Sequence, residues 1–149
     1  MREVVRSALV PHSPAQMFAL VEDVERYPDF LPGVVSAKLV AQQDAEQTGT
    51  LEMERAGIRE KFTTRNTLTR PERIDMHLLE GPFRSLEGVW TFVPIVEGGI
   101  VKGTRVGLAI RFEFRNPLTS MLLSRSFEGI FASLIDSFTK RARTVYGAG

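Results

Sequence analysis

Residues Val106–Tyr146 read VGLAIRFEFRNPLTSMLLSRSFEGIFASLIDSFTKRARTVY, and a change of period inside this stretch decides the fold. In its first part Val106, Leu108, Ile110, Phe112 and Phe114 alternate with small or charged residues. That period of two marks a strand with one face buried. Asn116-Pro117 then interrupts the alternation. Asparagine is a strong N-cap and proline suits the first helical position. Beyond the break Leu118, Met121, Leu122, Phe127, Ile130, Phe131, Leu134, Ile135, Phe138, Ala142 and Val145 return at helical steps. Gly147 closes the segment, just past Lys140, Arg141 and Arg143, whose charges suit the negative end of a helix dipole. A helix over Pro117–Tyr146 is about 45 Å long at ~1.5 Å per residue, enough to cross a whole sheet. About eight buried apolar side chains along it would contribute roughly 12–24 kcal/mol, an upper bound from buried area.

Upstream of this stretch the period of two recurs. Val4–Val10, Val35–Gln42, Thr48–Arg55 and Lys61–Thr69 read as strands, the last with Phe62, Thr64, Asn66 and Leu68 on one face. Ile74, Met76 and Leu78 alternate again, as do Leu86, Gly88, Trp90 and Phe92 within Leu86–Val93. Ala56-Gly57, Arg70-Pro71-Glu72, Glu80-Gly81-Pro82 and Glu97-Gly98-Gly99 supply the turns. One helix lies between the first two strands. Ser13, Pro14 and Gln16 give a capping box with proline at the first position, and Met17, Leu20, Val21 and Val24 follow at helical spacing. Tyr27-Pro28 ends it, and Phe30-Leu31-Pro32-Gly33 forms a compact apolar turn. The order β-α-β-β-β-β-β-β-α predicts the α+β class: a curved antiparallel meander with the C-terminal helix laid across one face.

The 149 residues suit one domain over 1–149, with 43% hydrophobic and 25% charged residues. Lys+Arg total 19 against 18 Asp+Glu, a net charge of +1, which argues against a DNA-binding sleeve. The absence of cysteine excludes disulfides, thiolate catalysis and cysteine zinc sites. His12 and His77 are the only histidines and lack metal-ligand spacing, so both read as surface or structural. Glu22, Asp23 and Glu25 read as a solvated face, as do Glu52 and Glu54. Gly98-Gly99 and Gly103 punctuate a hairpin and lack the strand-to-helix setting of a phosphate loop, so no nucleotide cofactor is expected. There is no Gly-x-Ser-x-Gly elbow. No apolar leader or membrane span is legible. The expected location is the cytoplasm, with peripheral contact at the inner membrane.

Several longer stretches carry a family resemblance. They are Ala8-Leu9-Val10-Pro11, Val24-Glu25-Arg26-Tyr27-Pro28-Asp29-Phe30-Leu31-Pro32-Gly33, Phe62-Thr63-Thr64-Arg65-Asn66, Glu80-Gly81-Pro82-Phe83-Arg84-Ser85-Leu86-Glu87-Gly88-Val89-Trp90-Thr91-Phe92 and Phe112-Glu113-Phe114, with Ala142-Arg143-Thr144-Val145-Tyr146 at the end. Together they resemble the START-like superfamily, or helix-grip fold. Within it they are similar to the polyketide-cyclase-like family that includes coenzyme Q-binding proteins and ribosome-association toxins. The resemblance implies a seven-stranded sheet gripping the long helix around an apolar tunnel. It implies non-catalytic binding of ubiquinone or another polyprenyl lipid in support of respiratory electron transfer, with no cofactor. Its toxin branch implies instead a protein that binds the large ribosomal subunit and blocks subunit association. Cyclase chemistry, known in relatives of this fold, would need polar groups converging in the tunnel, and Asn66, Thr64, Arg65 and His77 form no coherent set.

On this reading the expected ligand contacts are Phe30, Leu31, Phe83, Leu86, Trp90, Phe92, Phe112, Phe114, Phe127, Ile130, Phe131 and Leu134. The aromatic members read equally as core, since the tunnel is cut from the core. Phe30, Leu31 and Phe83 fall in loops, where they either anchor the loop or form a rim touching ligand or membrane. Carried over by motif, Leu31 and Trp90 are the foremost contacts. Arg59, Lys61, Arg65, Lys140, Arg141 and Arg143 serve solubility and helix-dipole pairing, or meet ribosomal RNA or anionic headgroups. An empty tunnel of ~300 Å³ would cost about 7 kcal/mol at ~24 cal/mol per Å³, so a cavity of that size needs an occupant.

Overall fold

The computed structural model describes residues 1–55 and 57–147. The chain runs β1 (Arg2–Val10), α1 (Pro14–Glu22), a 3-10 helix (Val24–Asp29), β2 (Val34–Gln43), β3 (Glu46–Arg55), β4 (Ile58–Thr69), β5 (Arg73–Glu80), β6 (Phe83–Glu97), β7 (Ile100–Phe114) and α2 (Pro117–Tyr146). All seven strands form one antiparallel sheet in the order β1-β7-β6-β5-β4-β3-β2. From β2 to β7 consecutive strands pair through short turns, and β7 also pairs with β1, so β1 and β2 are the two edges. This is the helix-grip architecture, with α2 as the helix that is gripped.

Local chemistry accounts for the elements. Ser13 and Gln16 close a reciprocal capping box at α1: the Gln16 amide donates to Ser13 Oγ at 3.1 Å, and the Ser13 amide to Gln16 Oε1 at 2.9 Å. Asn116 caps α2, accepting from the amide of Leu118 at 2.8 Å. On β4 the side chains of Phe62, Thr64, Asn66 and Leu68 are all buried, and on β7 so are Val106, Leu108, Ile110, Phe112 and Phe114. The two faces of the sheet follow the alternation of the sequence directly.

Three details differ from expectation. The first helix stops at Glu22, and Val24 lies on the 3-10 helix instead. Asp23 leaves the helical region at φ −79° and ψ 68°, and Pro28 has no amide to continue an α-helical ladder. Val24 is still buried, because Gly49 on β3 leaves room for it: a Cβ there would come within 3.3 Å of Val24 Cγ1. The strands β6 and β7 reach 15 residues each, well beyond the expected Leu86–Val93 and Val106–Phe114. Their hairpin extends past the core, leaving Val96, Ile100 and Val101 exposed. Of the expected Ala56-Gly57 turn, Ala56 lies outside the described residues, and Gly57 has φ +79°.

The buried stripe of α2 also needs correction. Leu123, Phe127, Ile130, Phe131, Ile135, Phe138 and Ala142 are buried, whereas Leu118, Met121, Leu122 and Val145 point outward. The far end of the helix is pinned to the first turn of the chain. His12, 3% exposed, has Nε2 at 3.0 Å from the carbonyl oxygen of Gly147, and the Tyr146 hydroxyl donates to the carbonyl of Gln16 at 3.1 Å. His12 is thus a structural histidine, and His77 is exposed on the outer sheet face between Arg65 and Glu87 of the neighbouring strands.

Candidate ligand-binding cavity

α2 packs closely on β1 and β7 and on α1. Where it crosses toward β3, β4 and β5 it stands over a cavity of about 60 Å³. Two aromatic clusters frame that space. In the first, Phe83 stacks on Phe114 with centroids 4.7 Å apart and meets Phe62, Phe112 and Phe127 edge-on, while Phe131 meets Phe112 and Phe127. In the second, Phe138 of α2 meets Trp90 of β6 edge-on at 5.2 Å, along with Tyr27 and Phe30. Offset and edge-on rings fill such regions densely. The first cluster contributes Phe62 and Phe131 to the cavity wall, and the second contributes Tyr27, Trp90 and Phe138.

Of the expected contacts, Leu31, Leu86, Trp90, Phe131 and Leu134 line the cavity. Phe83, Phe112, Phe114 and Phe127 lie within the first aromatic cluster and leave no room around themselves. Phe92 packs between Trp90 and Phe18. Ile130 lies over Gly33, where a Cβ would fall 3.0 Å from Ile130 Cδ1, and Gly33 itself has φ +86°. Two of the three residues expected either to anchor a loop or to form a rim lie in the interior. Leu31 and Phe83 are buried, and the half-buried Phe30 lies under the guanidinium of Arg141, 5.0 Å from the ring centroid.

The remaining wall comes from residues that sequence reading did not single out as ligand contacts. Val34, Leu51, Met53, Phe62 and Thr64 come from β2 to β4, with Met76 from β5, Ile110 from β7, and Tyr27 and Phe138 from the helical side. Strand alternation already placed Phe62, Met76 and Ile110 on the inner face. What it could not show was where α2 lifts away from that face.

Polar groups at the wall are engaged. Thr64 Oγ1 donates to Asn66 Oδ1 at 3.0 Å, Asn66 Nδ2 to Gln47 Oε1 at 2.9 Å, and Gln47 Nε2 to the carbonyl of Glu22 at 3.1 Å. The Tyr27 hydroxyl donates to the carbonyl of Val21. Burial, assisted by the nearby Asp23 carboxylate, holds that hydroxyl well above the ordinary tyrosine pKa. At about 60 Å³ the cavity is far smaller than the ~300 Å³ tunnel, and its cost at ~24 cal/mol per Å³ falls to about 1.4 kcal/mol. Stability alone therefore does not demand an occupant.

Of the basic residues singled out from the sequence, Arg59, Arg65 and Lys140 are paired, while Lys61, Arg141 and Arg143 make no salt bridge among the described residues. Arg59 pairs with Glu54 at 2.7 Å, Arg65 with Glu46 at 3.5 Å and Lys140 with Asp136 at 3.1 Å. Glu22 of the acidic cluster pairs with Arg70, and Glu25 accepts from the amide of Leu39 at 3.1 Å. Among the described residues no group of three carboxylate or imidazole side chains could hold a metal ion, and no helix is long and apolar enough to cross a membrane.

A long helix gripped by a seven-stranded antiparallel sheet over an apolar cavity defines the START-like, Bet v 1-like class. Comparison with known proteins specifies this further. Residues 10–139 match the family described as polyketide cyclase/dehydrase and lipid transport, and the chain belongs to that family. It is 38% identical over 148 residues to the ribosome association toxin RatA of Escherichia coli strain K12, covering 99% of this chain and 91% of that protein. It is 40% identical over 147 residues to RatA of Vibrio cholerae, covering 99% of each. A Xenopus laevis protein named mitochondrial coenzyme Q-binding protein COQ10 homolog B is 26% identical over 97% of this chain and 59% of its own length. Among solved structures, an 18 kDa protein of Caulobacter crescentus is 33% identical with a TM-score of 0.74, covering 99% of this chain and all of that one. The Zhui aromatase/cyclase of a Streptomyces superposes with a TM-score of 0.83 over 99% of this chain and 98% of its own, but at 20% identity it shares the fold alone.

Proposed function

We propose that the chain, acting as one domain over residues 1–149, is a non-catalytic carrier. It holds a single apolar ligand, ubiquinone or another polyprenyl lipid, in the cavity under α2. In this reading it works in the cytoplasm and peripherally at the inner membrane, in support of respiratory electron transfer. The observation that carries the reading is the composition of the wall. Of its 14 residues only Tyr27 and Thr64 bear hydroxyls, and both are spent on protein acceptors. A prenyl chain gains ~0.8 kcal/mol per buried CH₂ and needs little else. Leu51, Met76 and Leu134 are only half-buried, and their movement outward would admit more of a ligand than 60 Å³ takes. The absence of converging free polar groups supports binding over cyclase chemistry.

Trp90 is the sole tryptophan, so its fluorescence reports the cavity directly. Titration with decylubiquinone is expected to quench it saturably, and a Leu134→Trp variant that fills the cavity is expected to lose decylubiquinone binding, measured by calorimetry. A linear, non-saturating response, with no lipid retained by the native protein in mass spectrometry, would overturn the carrier reading.

A second reading is association with the large ribosomal subunit, blocking subunit association. The two RatA relatives that match nearly the whole chain favour it. Of the basic residues that could meet ribosomal RNA, Arg59, Arg65 and Lys140 sit beside carboxylates, whereas Lys61, Arg141 and Arg143 make no salt bridge among the described residues. It predicts co-sedimentation with large subunits at low salt, and absence from those fractions would remove it.

A further inference from the structure

We propose that the first two turns of α2 form a docking face for the surface of an anionic phospholipid bilayer. Leu118, Met121 and Leu122 are 58%, 75% and 55% exposed. Their spacing puts them on one side of the helix, and Arg125 continues the same stripe. Arg115 stands just before the cap, its guanidinium donating to the carbonyl of Gly81, so the apolar strip has an exposed cation at each end. No Asp or Glu occurs between Asn116 and Phe127, and the first carboxylate of α2, Glu128, pairs with Arg2.

The rest of the same helix provides the contrast. Its exposed positions farther along are Gly129, Asp136, Lys140, Arg143, Thr144 and Val145, of which Val145 alone is a large apolar side chain. Farther along α2 the exposed side chains are thus mostly charged or polar, with a single valine, whereas over the first two turns three large apolar side chains lie together. Apolar side chains bordered by arginines and free of carboxylates match an anionic headgroup layer above acyl chains. The arginine stems follow the apolar boundary while their guanidinium groups meet phosphates. This face lies about 20 Å along the helix from the cavity-lining Leu134, at ~1.5 Å per residue, and it goes beyond the cavity reading without depending on it.

The test is flotation of the full chain with vesicles of phosphatidylcholine and phosphatidylglycerol in equal parts, against vesicles of phosphatidylcholine alone. The wild-type protein is expected to float with the anionic vesicles at low salt. The variant L118S/M121S/L122S is expected to lose about tenfold or more of the bound fraction. R115Q/R125Q should abolish the preference for phosphatidylglycerol. V96S/V101S, on the equally exposed β6–β7 hairpin, should float as the wild type does. Because the chain has no cysteine, Met121→Cys can carry an environment-sensitive dye, whose emission should shift to the blue on anionic vesicles even if the triple variant fails to fold. Wild-type protein that stays with the dense fraction, a triple variant that floats undiminished, or a dye that does not shift would each overturn the proposal. So would a patch-dependent dimer in sedimentation equilibrium without flotation.

Discussion

The methyl tip of Met76 occupies the space that a Cβ on Gly88 would take. The two residues face each other across β5 and β6, and Ile110 of β7 completes the row, with Cγ1 2.8 Å from the same position. Both Met76 and Ile110 line the cavity, and the missing side chain of Gly88 gives the Met76 tip room to lie against the sheet. Gly88→Ala should push Met76 inward, cost about 1–3 kcal/mol in urea unfolding and weaken decylubiquinone binding. Combining it with Met76→Ala should restore part of both losses, a coupling that a double-mutant cycle measures. Independent, additive effects would show that the two side chains do not compete for that space.

Phe138 touches Tyr27, Phe30 and Trp90 and is 1% exposed. Phe138→Ala should cost about 3–5 kcal/mol and enlarge the cavity on the helix side. The enlarged site should show a greater rise in melting temperature with decylubiquinone than the wild-type protein does. An equal or smaller rise would place the ligand elsewhere.

Asn66 links Thr64 to Gln47 inside the sheet, and all three are buried. Asn66→Ala strands the carbonyl oxygen of Gln47 and the hydroxyl of Thr64, with an expected loss of about 2–4 kcal/mol. Asn66→Ala together with Gln47→Leu and Thr64→Val should be less destabilised than the sum of the single changes. Strict additivity in guanidinium unfolding would argue that water satisfies these groups.

Tyr27 gives a pH signature. Burial first, and the Asp23 carboxylate second, raise its pKa in the folded protein, so folding favours the protonated phenol. That stabilisation is complete below the unfolded value of about 10 and drains as pH climbs above it toward the folded value. Tyr27→Phe should cost about 1 kcal/mol at neutral pH, because the Val21 carbonyl loses its donor. Above pH ~10 the wild-type protein should lose stability faster, and the gap between the two should narrow. Tyr146, whose pKa is also raised, is common to both proteins and cancels. A gap that stays constant between neutral and alkaline urea midpoints would contradict the desolvation of Tyr27.

Much of the site was legible in part. Leu86, Phe131 and Leu134 could be named from strand phase and helical spacing, and Leu31 and Trp90 from the family resemblance; all five line the cavity. Phe83, Phe112, Phe114 and Phe127 carried the same local signal yet fill a solid aromatic cluster. Inward orientation is a property of one element, whereas the presence of empty space depends on the distance to the opposite element. Tyr27 and Phe138 were missed as wall residues for the same reason.

By itself the sequence determined the element order, the buried face of each strand, both helix caps and the antiparallel meander, because those depend on residues a few positions apart. The tertiary structure alone decided which side of α2 is buried. Leu122 and Leu123 are adjacent and equally apolar, but Leu123 is fully buried while Leu122 is 55% exposed. A helix apolar around much of its first turns has no single stripe to read from periodicity, so the packing of α2 on β1 and β7 makes the choice. The same packing lifts the helix away from β3–β5, leaves the cavity there and turns Leu118, Met121 and Leu122 toward the outside.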